Sequence, residues 1–268
     1  MKKPLHIAIL GHGTIAKFVW DAFCDSSDVE ICAVIAKPSS LEKAKRFSGE
    51  LCPVIISPKD LPKNVALAVD CSGHGGLIEH GENLLAAGID VITISTGAVA
   101  DTQFFDRLVR AAEIGNSRLQ FLSGAVGGVD ILLAAKTGEI NSVTYIGRKP
   151  PLGWQGSPAE DRCDLKGLKE AFTHFTGSAR QAAIQYPKNA NVAATIALAG
   201  VGLDETNVKL IADPTITKNC HEVTATGSFG SFQINIESVP LAGNPKSSAL
   251  AAMSIVQELQ RRISNVGF

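Results

Sequence analysis

The stretch "LHIAILGHGTIAK", residues 5–17, decides the fold. A short apolar run, residues 5–10, ends abruptly in Gly11-x-Gly13-x-x-Ala16, and a helical pattern begins at Thr14. Each small residue has a separate reason. Gly11 permits the tight turn, Gly13 lets the backbone approach a pyrophosphate, and Ala16 is small enough for helix to pack on strand. The helix start, Thr14 and Ile15 included, then offers unpaired N–H groups to phosphate. The motif is weak in isolation. Its position between a strand and a helix, at the head of an alternating series, gives it weight.

That series runs outward from it. Apolar strands are expected at 29–36, 66–73, 90–97 and 118–124. Helices are expected at 14–24, 40–47, 77–88 and 101–115, with Ser40 and Asp101 as candidate caps. Continuous apolar strands alternating with helices mean a parallel sheet covered on both faces, of the Rossmann type. After residue 124 the texture changes. Helices at 129–138, 191–202 and 247–263 accompany strands at 142–150, 207–214, 221–229 and 230–240. The fold class is therefore α/β with a second, α+β domain whose strands are antiparallel. The expected boundaries are 1–124 for the dinucleotide-binding domain, with helix 243–268 packing back on it. Residues 125–242 are expected to form the second domain.

Composition narrows the function. With 25 basic and 26 acidic residues, the net charge of −1 offers no tract for nucleic acid. The apolar run after the two N-terminal lysines is too short for a signal peptide, and no run approaches the ~20 residues that span a bilayer. The six cysteines make no C-x-x-C pair and no zinc spacing, so no metal is expected and a reducing, cytoplasmic compartment is.

The end of the second strand reads "VIAKPSS", where an NAD enzyme usually carries an acid for the ribose hydroxyls. Lys37 with Ser39 and Ser40 would suit a 2′-phosphate; Lys37 is equally readable as a solvated lysine. The cofactor is NAD or NADP. The loops "CSGH" with Ser72, "STGA" and "SGAVGG" are small enough to admit a nicotinamide ring, or are simply turns. Arg148 and Lys149 in "YIGRKPP", and Lys136 after an apolar helix, are candidate clamps for an anionic substrate. Asn189 and Asn191 precede a buried helix, and Asn191 is either its cap or a cofactor contact. His221 shares a strand face with Val223 and Ala225. It is either a satisfied structural histidine or an acid/base, and its ordinary pKa of about 6.5 suits proton transfer. Glu222 falls on the opposite face.

These motifs together resemble the L-aspartate dehydrogenase family. The resemblance rests on "GHGTIAK", "STGA", "SGAVGGVDILLAAK", "IGRKPP", "YPKNANVAATIALAGVG", "LIADP" and "NCHEV" followed by "GSFGSF", and it runs nearly end to end. It implies a homodimer of a Rossmann domain and an α+β domain, with residues 125–242 as the catalytic, substrate and dimerisation domain, linked to NAD biosynthesis. Ala125 and Asn191 would be cofactor contacts and His221 the catalytic residue. The implied reaction takes L-aspartate, NAD(P)+ and water to oxaloacetate, ammonia and NAD(P)H through iminosuccinate. His221 would shuttle protons at the amine and imine and activate the water. Two other readings compete: a homoserine dehydrogenase-like or dihydrodipicolinate reductase-like oxidoreductase, and a non-catalytic NAD(P) sensor.

Overall fold

A computed structural model describes residues 3–49, 51–187 and 189–267. The chain divides into two compact units: Met1–Leu122 with Ala242–Asn244 and Ala251–Phe268, and Ser123–Leu241 with Pro245–Leu250.

The first unit holds β1 (Leu5–Leu10), α1 (Thr14–Phe23), β2 (Val29–Ile35), α2 (Leu41–Ser48), β3 (Val54–Ile55), β4 (Leu67–Asp70), α3 (His74–Ala86), β5 (Asp90–Thr93), α4 (Thr102–Gly115) and β6 (Leu119–Phe121). Its six strands are all parallel in the order β3-β2-β1-β4-β5-β6. Such a sheet is covered on both faces, so its strands read as apolar runs rather than alternations. Ile7, Ile9, Val34, Val69 and Ile92 are buried in one core with Val19 and Phe23 of α1. The chain's last helix, Ala249–Ile263, adds Ile255 and Leu259 to the same core. Each such side chain, fully buried, contributes about 1.5–3 kcal/mol.

The helix ends follow local chemistry. Asp101 caps α4, its carboxylate accepting from the N–H groups of Gln103 and Phe104. Ser40 does not cap α2, contrary to expectation: its hydroxyl donates to the carbonyl of Lys37 instead. The two-residue β3 escaped the sequence reading because it is too short to show a period.

The second unit contains α5 (Val129–Ala135), β7 (Ile140–Lys149), β8 (Phe172–Ser178), α6 (Ala179–Gln185), α7 (Asn191–Ala199), β9 (Asn207–Ala212), β10 (Asn219–Gly227) and β11 (Gly230–Ser238). The sheet order is β11-β10-β7-β9-β8. It is mixed rather than wholly antiparallel, because β7 and β9 run parallel. β8 and α6 lie in a stretch to which no element was assigned. "FTHFTGS" lacks a clean alternation because an irregularity falls between Thr173 and Phe175, placing both His174 and Phe175 in the interior. A capping box between Ser178 and Gln181 then starts α6.

The register between β7 and β10 builds the candidate site. His221 stands opposite Gly147, Val223 opposite Tyr145, and Ala225 opposite Val143. Strand alternation therefore puts Tyr145, Gly147 and Lys149 on the face that carries His221.

Candidate active site

In the first unit, the strand order reverses between β1 and β4, the position where open α/β sheets bind ligands beyond the strand ends. Gly11 follows β1 with φ +92°, and a Cβ there would lie 3.0 Å from Ser72 Cα. No side chain fits both constraints. A Cβ on Gly13 would meet nothing within 4 Å, which leaves room above the turn. His12 Nδ1 is sealed from solvent with no partner among the described residues. Gly11, His12, Gly13, Ala36, Lys37, Ser40 and Ser72 line a cavity of about 230 Å³. This cradle fits a dinucleotide, with Thr14, Ile15 and Ala16 opening the helix behind it. Gly11→Ala is expected to weaken dinucleotide binding at least tenfold, about 1.4 kcal/mol, measured by calorimetric titration.

Ser72 is held in place by a residue the sequence reading passed over. Asp70, fully buried at the end of β4, accepts from the backbone N–H and hydroxyl of Ser72 through Oδ1. Its Oδ2 accepts from the hydroxyls of Thr93 and Ser95. One carboxylate thus ties the loop after β4 to the loop after β5. Lys37 leaves the end of β2 and lies over the first turn of α3, its Nζ 3.6 Å from where a Cβ on Gly75 would be.

In the second unit, His221 is 5% exposed, and its Nδ1 is 2.8 Å from the hydroxyl of the buried Tyr145. The two rings are nearly parallel, at 19°. Burial pulls the imidazole down to about 4, and the positive charge of Lys149 adds to the shift. Lys149 Nζ donates to Asn189 Oδ1 at 2.8 Å and sits 5.0 Å from the centre of the Trp154 ring. It forms no salt bridge with a described carboxylate, and burial lowers its pKa to about 8. Trp154 itself is fully buried and donates its indole N–H to the carbonyl of Ile211.

A second buried histidine completes this cluster. His174 contacts Trp154 edge-on at 4.3 Å and lies 3.1 Å, Nδ1 to hydroxyl, from Tyr186. Burial, then Arg162 and Lys149, pull it to about 4. The chain has two tyrosines, and each is hydrogen-bonded to a buried histidine.

The sequence-nominated residues divide accordingly. His221, Lys149 and Asn189 belong to one cluster. Arg148 does not join them: next to Lys149 in a strand, it points to the other face, where Nη1 donates to Asp213 Oδ2 at 2.7 Å. Asp213 is held below the ordinary carboxylate range by the Thr215 hydroxyl and then by other donors including Arg148, so the guanidinium is already paired. Lys136 does not join them either. It follows α5, donates to the carbonyl of Leu198 at 3.0 Å, and lies beside Gly138 and Ile140. Ile140 and Lys149 are opposite ends of β7, on the order of 30 Å apart, so Lys136 cannot share an anion with Lys149. Asn191 is the first residue of α7 rather than its cap; Ala190 holds the cap position. Ala125 is buried in the loop ahead of α5, one residue after Gly124 at φ +63°. Glu222 faces away from His221 and accepts from Gln233.

Tyr145, Trp154 and His174 were missed. Tyr145 was within reach of the sequence, since pairing the 142–150 and 221–229 strands brings tyrosine and histidine to one face. The register that does so is a property of the folded sheet.

Comparisons with known proteins agree with both units. The family described as "Aspartate dehydrogenase, C-terminal" matches residues 130–262, and "Homoserine dehydrogenase, NAD binding domain" matches residues 11–122. The chain is 48% identical to an L-aspartate dehydrogenase of Ruegeria pomeroyi, over 96% of this chain and 92% of the relative. It is 42% identical to one of Pseudomonas aeruginosa, over 95% and 96% respectively. The crystal structure of aspartate dehydrogenase from Thermotoga maritima superposes with a TM-score of 0.75 at 25% identity, covering 98% of this chain and 99% of that one. An archaeal homoserine dehydrogenase in complex with NADPH shares the fold, with a TM-score of 0.58 at 12% identity over 96% of this chain and 97% of that one. Homoserine dehydrogenase enters through the nucleotide half and the general fold, and the nearly full-length identity to its curated relatives shows that the chain belongs to the L-aspartate dehydrogenase family.

Proposed function

We propose that this chain is an NAD(P)-dependent dehydrogenase that oxidises the CH–NH2 group of L-aspartate. The products are iminosuccinate, then oxaloacetate and ammonia after water adds, with one NAD(P)H formed per turnover. The observation that carries the reading is the half-buried Lys149 without a described carboxylate partner, on the same strand face as His221. A buried ammonium is costly unless paired. A dicarboxylate supplies the missing charge, and binding it further favours the charged form of the lysine. Asn189 orients the ammonium, and the Trp154 ring face stabilises it. His221 presents its Nε2 edge, engaged by no described residue, to the reacting amine, imine or carbonyl. The nicotinamide, held by the cradle around Gly11 and Gly13, would supply the hydride acceptor. Ala125 and Asn191 are proposed as further cofactor contacts, on the family resemblance.

The test is absorbance at 340 nm with oxaloacetate, ammonia and each reduced cofactor. Cofactor binding without turnover would favour a sensor. Lys149→Met is expected to raise KM for aspartate about 10- to 100-fold, the worth of a charged hydrogen bond, with a smaller change in kcat. In the unaltered enzyme the ammonium is present below about 8 and lost above it, so KM should climb as pH rises through that value. A flat KM from pH 7 to 9.5 would remove Lys149 from substrate binding.

Five finer assignments belong to the same proposal. The absence of an acid after β2, with Lys37 and Ser40 lining the cavity, supports acceptance of NADP alongside NAD. Six free cysteines support the cytoplasm, and no helix among the described residues is long and apolar enough to cross a membrane. A homodimer, and a place in pyridine nucleotide biosynthesis, are supported by the family resemblance. The boundaries at 124 and 242 for nucleotide and substrate domains are supported by the two compact units.

A further inference from the structure

We infer that Tyr145 locks His221 in the neutral form that carries its proton on Nε2, so that the ring acts on the substrate as a hydrogen-bond donor and not as a base. The inference rests on the reading of this site as that of an aspartate dehydrogenase and specifies how its histidine works. Tyr145 is 1% exposed, so its hydroxyl has no access to bulk water. Among the described residues one acceptor lies within reach of that hydroxyl, Nδ1 of His221 at 2.8 Å. A buried O–H that loses its acceptor is expensive. The phenol is neutral, since burial pushes its pKa above the ordinary range, and it therefore has a proton to give.

The tautomer follows from this count. In a neutral imidazole one nitrogen donates and the other accepts. If Nδ1 accepts from Tyr145, the ring proton is on Nε2. The other tautomer would donate from Nδ1 to the phenol oxygen and strand the tyrosine proton, disfavouring it by roughly tenfold or more. Imidazolium would strand the same proton, and it also faces burial and the Lys149 charge. A base working through Nε2 needs the first of these disfavoured forms before it takes a proton and becomes the second once it has done so.

The backbone is shaped for this contact. Gly147 stands directly opposite His221, and a Cβ there would fall 2.7 Å from the Tyr145 hydroxyl oxygen. Any larger residue would displace the hydroxyl from Nδ1. Tyr145, Gly147 and His221 act together, with Tyr145 as a positioning residue. A neutral imidazole that donates to a carbonyl polarises it without surrendering a proton. The acceptor proposed for Nε2–H is the oxygen at the reacting carbon, which gains negative charge as the carbinolamine expels ammonia to leave the keto acid and, in the opposite direction, as ammonia adds to the keto acid.

Nitrogen-15 NMR of histidine-labelled enzyme near neutral pH tests the lock without turnover. The expected spectrum shows His221 Nδ1 unprotonated and Nε2 protonated, and in Tyr145→Phe a mixture of tautomers. An Nδ1-protonated ring in the unaltered protein would overturn the inference. His221→Gln provides an independent arm, because an amide can donate where it cannot serve as a base. It should retain at least tenfold more kcat than His221→Ala, and equal losses would also overturn the donor role. If His221→Ala kept full activity while NMR showed the expected tautomer, the failure would lie in the site assignment and not in the lock. Should Tyr145→Phe fold poorly, Gly147→Ala offers the same readout by pushing the hydroxyl away. A pure Nε2–H ring in either well-folded variant would mean that Tyr145 does not set the tautomer.

Discussion

His221→Ala is expected to lower kcat by about 10²–10³-fold, the range for removing one preorganised donor or acid/base group at the reacting atoms. Affinity for the dinucleotide should stay within about twofold, which is under 0.5 kcal/mol. Loss through misfolding can be distinguished. The substitution deletes a ring from a packed face and leaves the Tyr145 hydroxyl without its acceptor, so some thermal stability should go with it. The discriminating measurement is kcat at a temperature well below the unfolding transition, with folding followed by near-ultraviolet circular dichroism. A variant that folds, binds cofactor and keeps kcat within threefold would make His221 a structural histidine. That was one of two readings open from its strand position alone.

That ambiguity shows what the sequence could carry. In the first unit, parallel strands buried on both faces leave an uninterrupted apolar signature, and the turn at Gly11 has no substitute. Sheet, order of elements and cofactor cradle were therefore readable. In the second unit the site is made of cross-strand pairs. Alternation along one strand already separated His221 from Glu222, which indeed face opposite ways. The same rule, applied to "GRK", separates Arg148 from Lys149. Two adjacent cations look like one clamp in sequence and become, in the sheet, an arginine paired with Asp213 and a half-buried lysine on the opposite face. Lys136 looked available because its helix is apolar; the structure puts it at the far end of β7. His174 was hidden by an irregular strand and given to a linker. Asp70 was hidden by its context, since an acid inside "ALAVDCSG" declares its role only when Thr93 and Ser95 arrive from the next strand.

His174 and His221 together should make this protein unusually sensitive to mild acid. Both imidazoles are held neutral in the fold, at about 4, chiefly by burial, with nearby cations adding to the effect. In the unfolded chain each titrates near 6.5. The sign follows from linkage. Between those values the unfolded chain binds more protons than the folded one, so stability is fully present above about 6.5 and declines as pH falls towards 4. The expected loss is on the order of 3 kcal/mol for each histidine at the bottom of that window, a large share of the 5–15 kcal/mol that typically holds a domain together. The carboxylates that the fold holds low, Asp213 and Glu258, begin to matter only below about 4, so the two effects separate on the pH axis. His174 is the cleaner probe, since its Nε2 is buried without a partner among the described residues and its ring packs against Trp154. His174→Phe keeps an aromatic ring against Trp154 and removes the titration. Chemical denaturation of both proteins at several pH values between 4 and 7 should show the variant losing only about half as much stability over that range. Parallel curves would mean that His174 gains its proton without unfolding, and that the acid sensitivity belongs elsewhere.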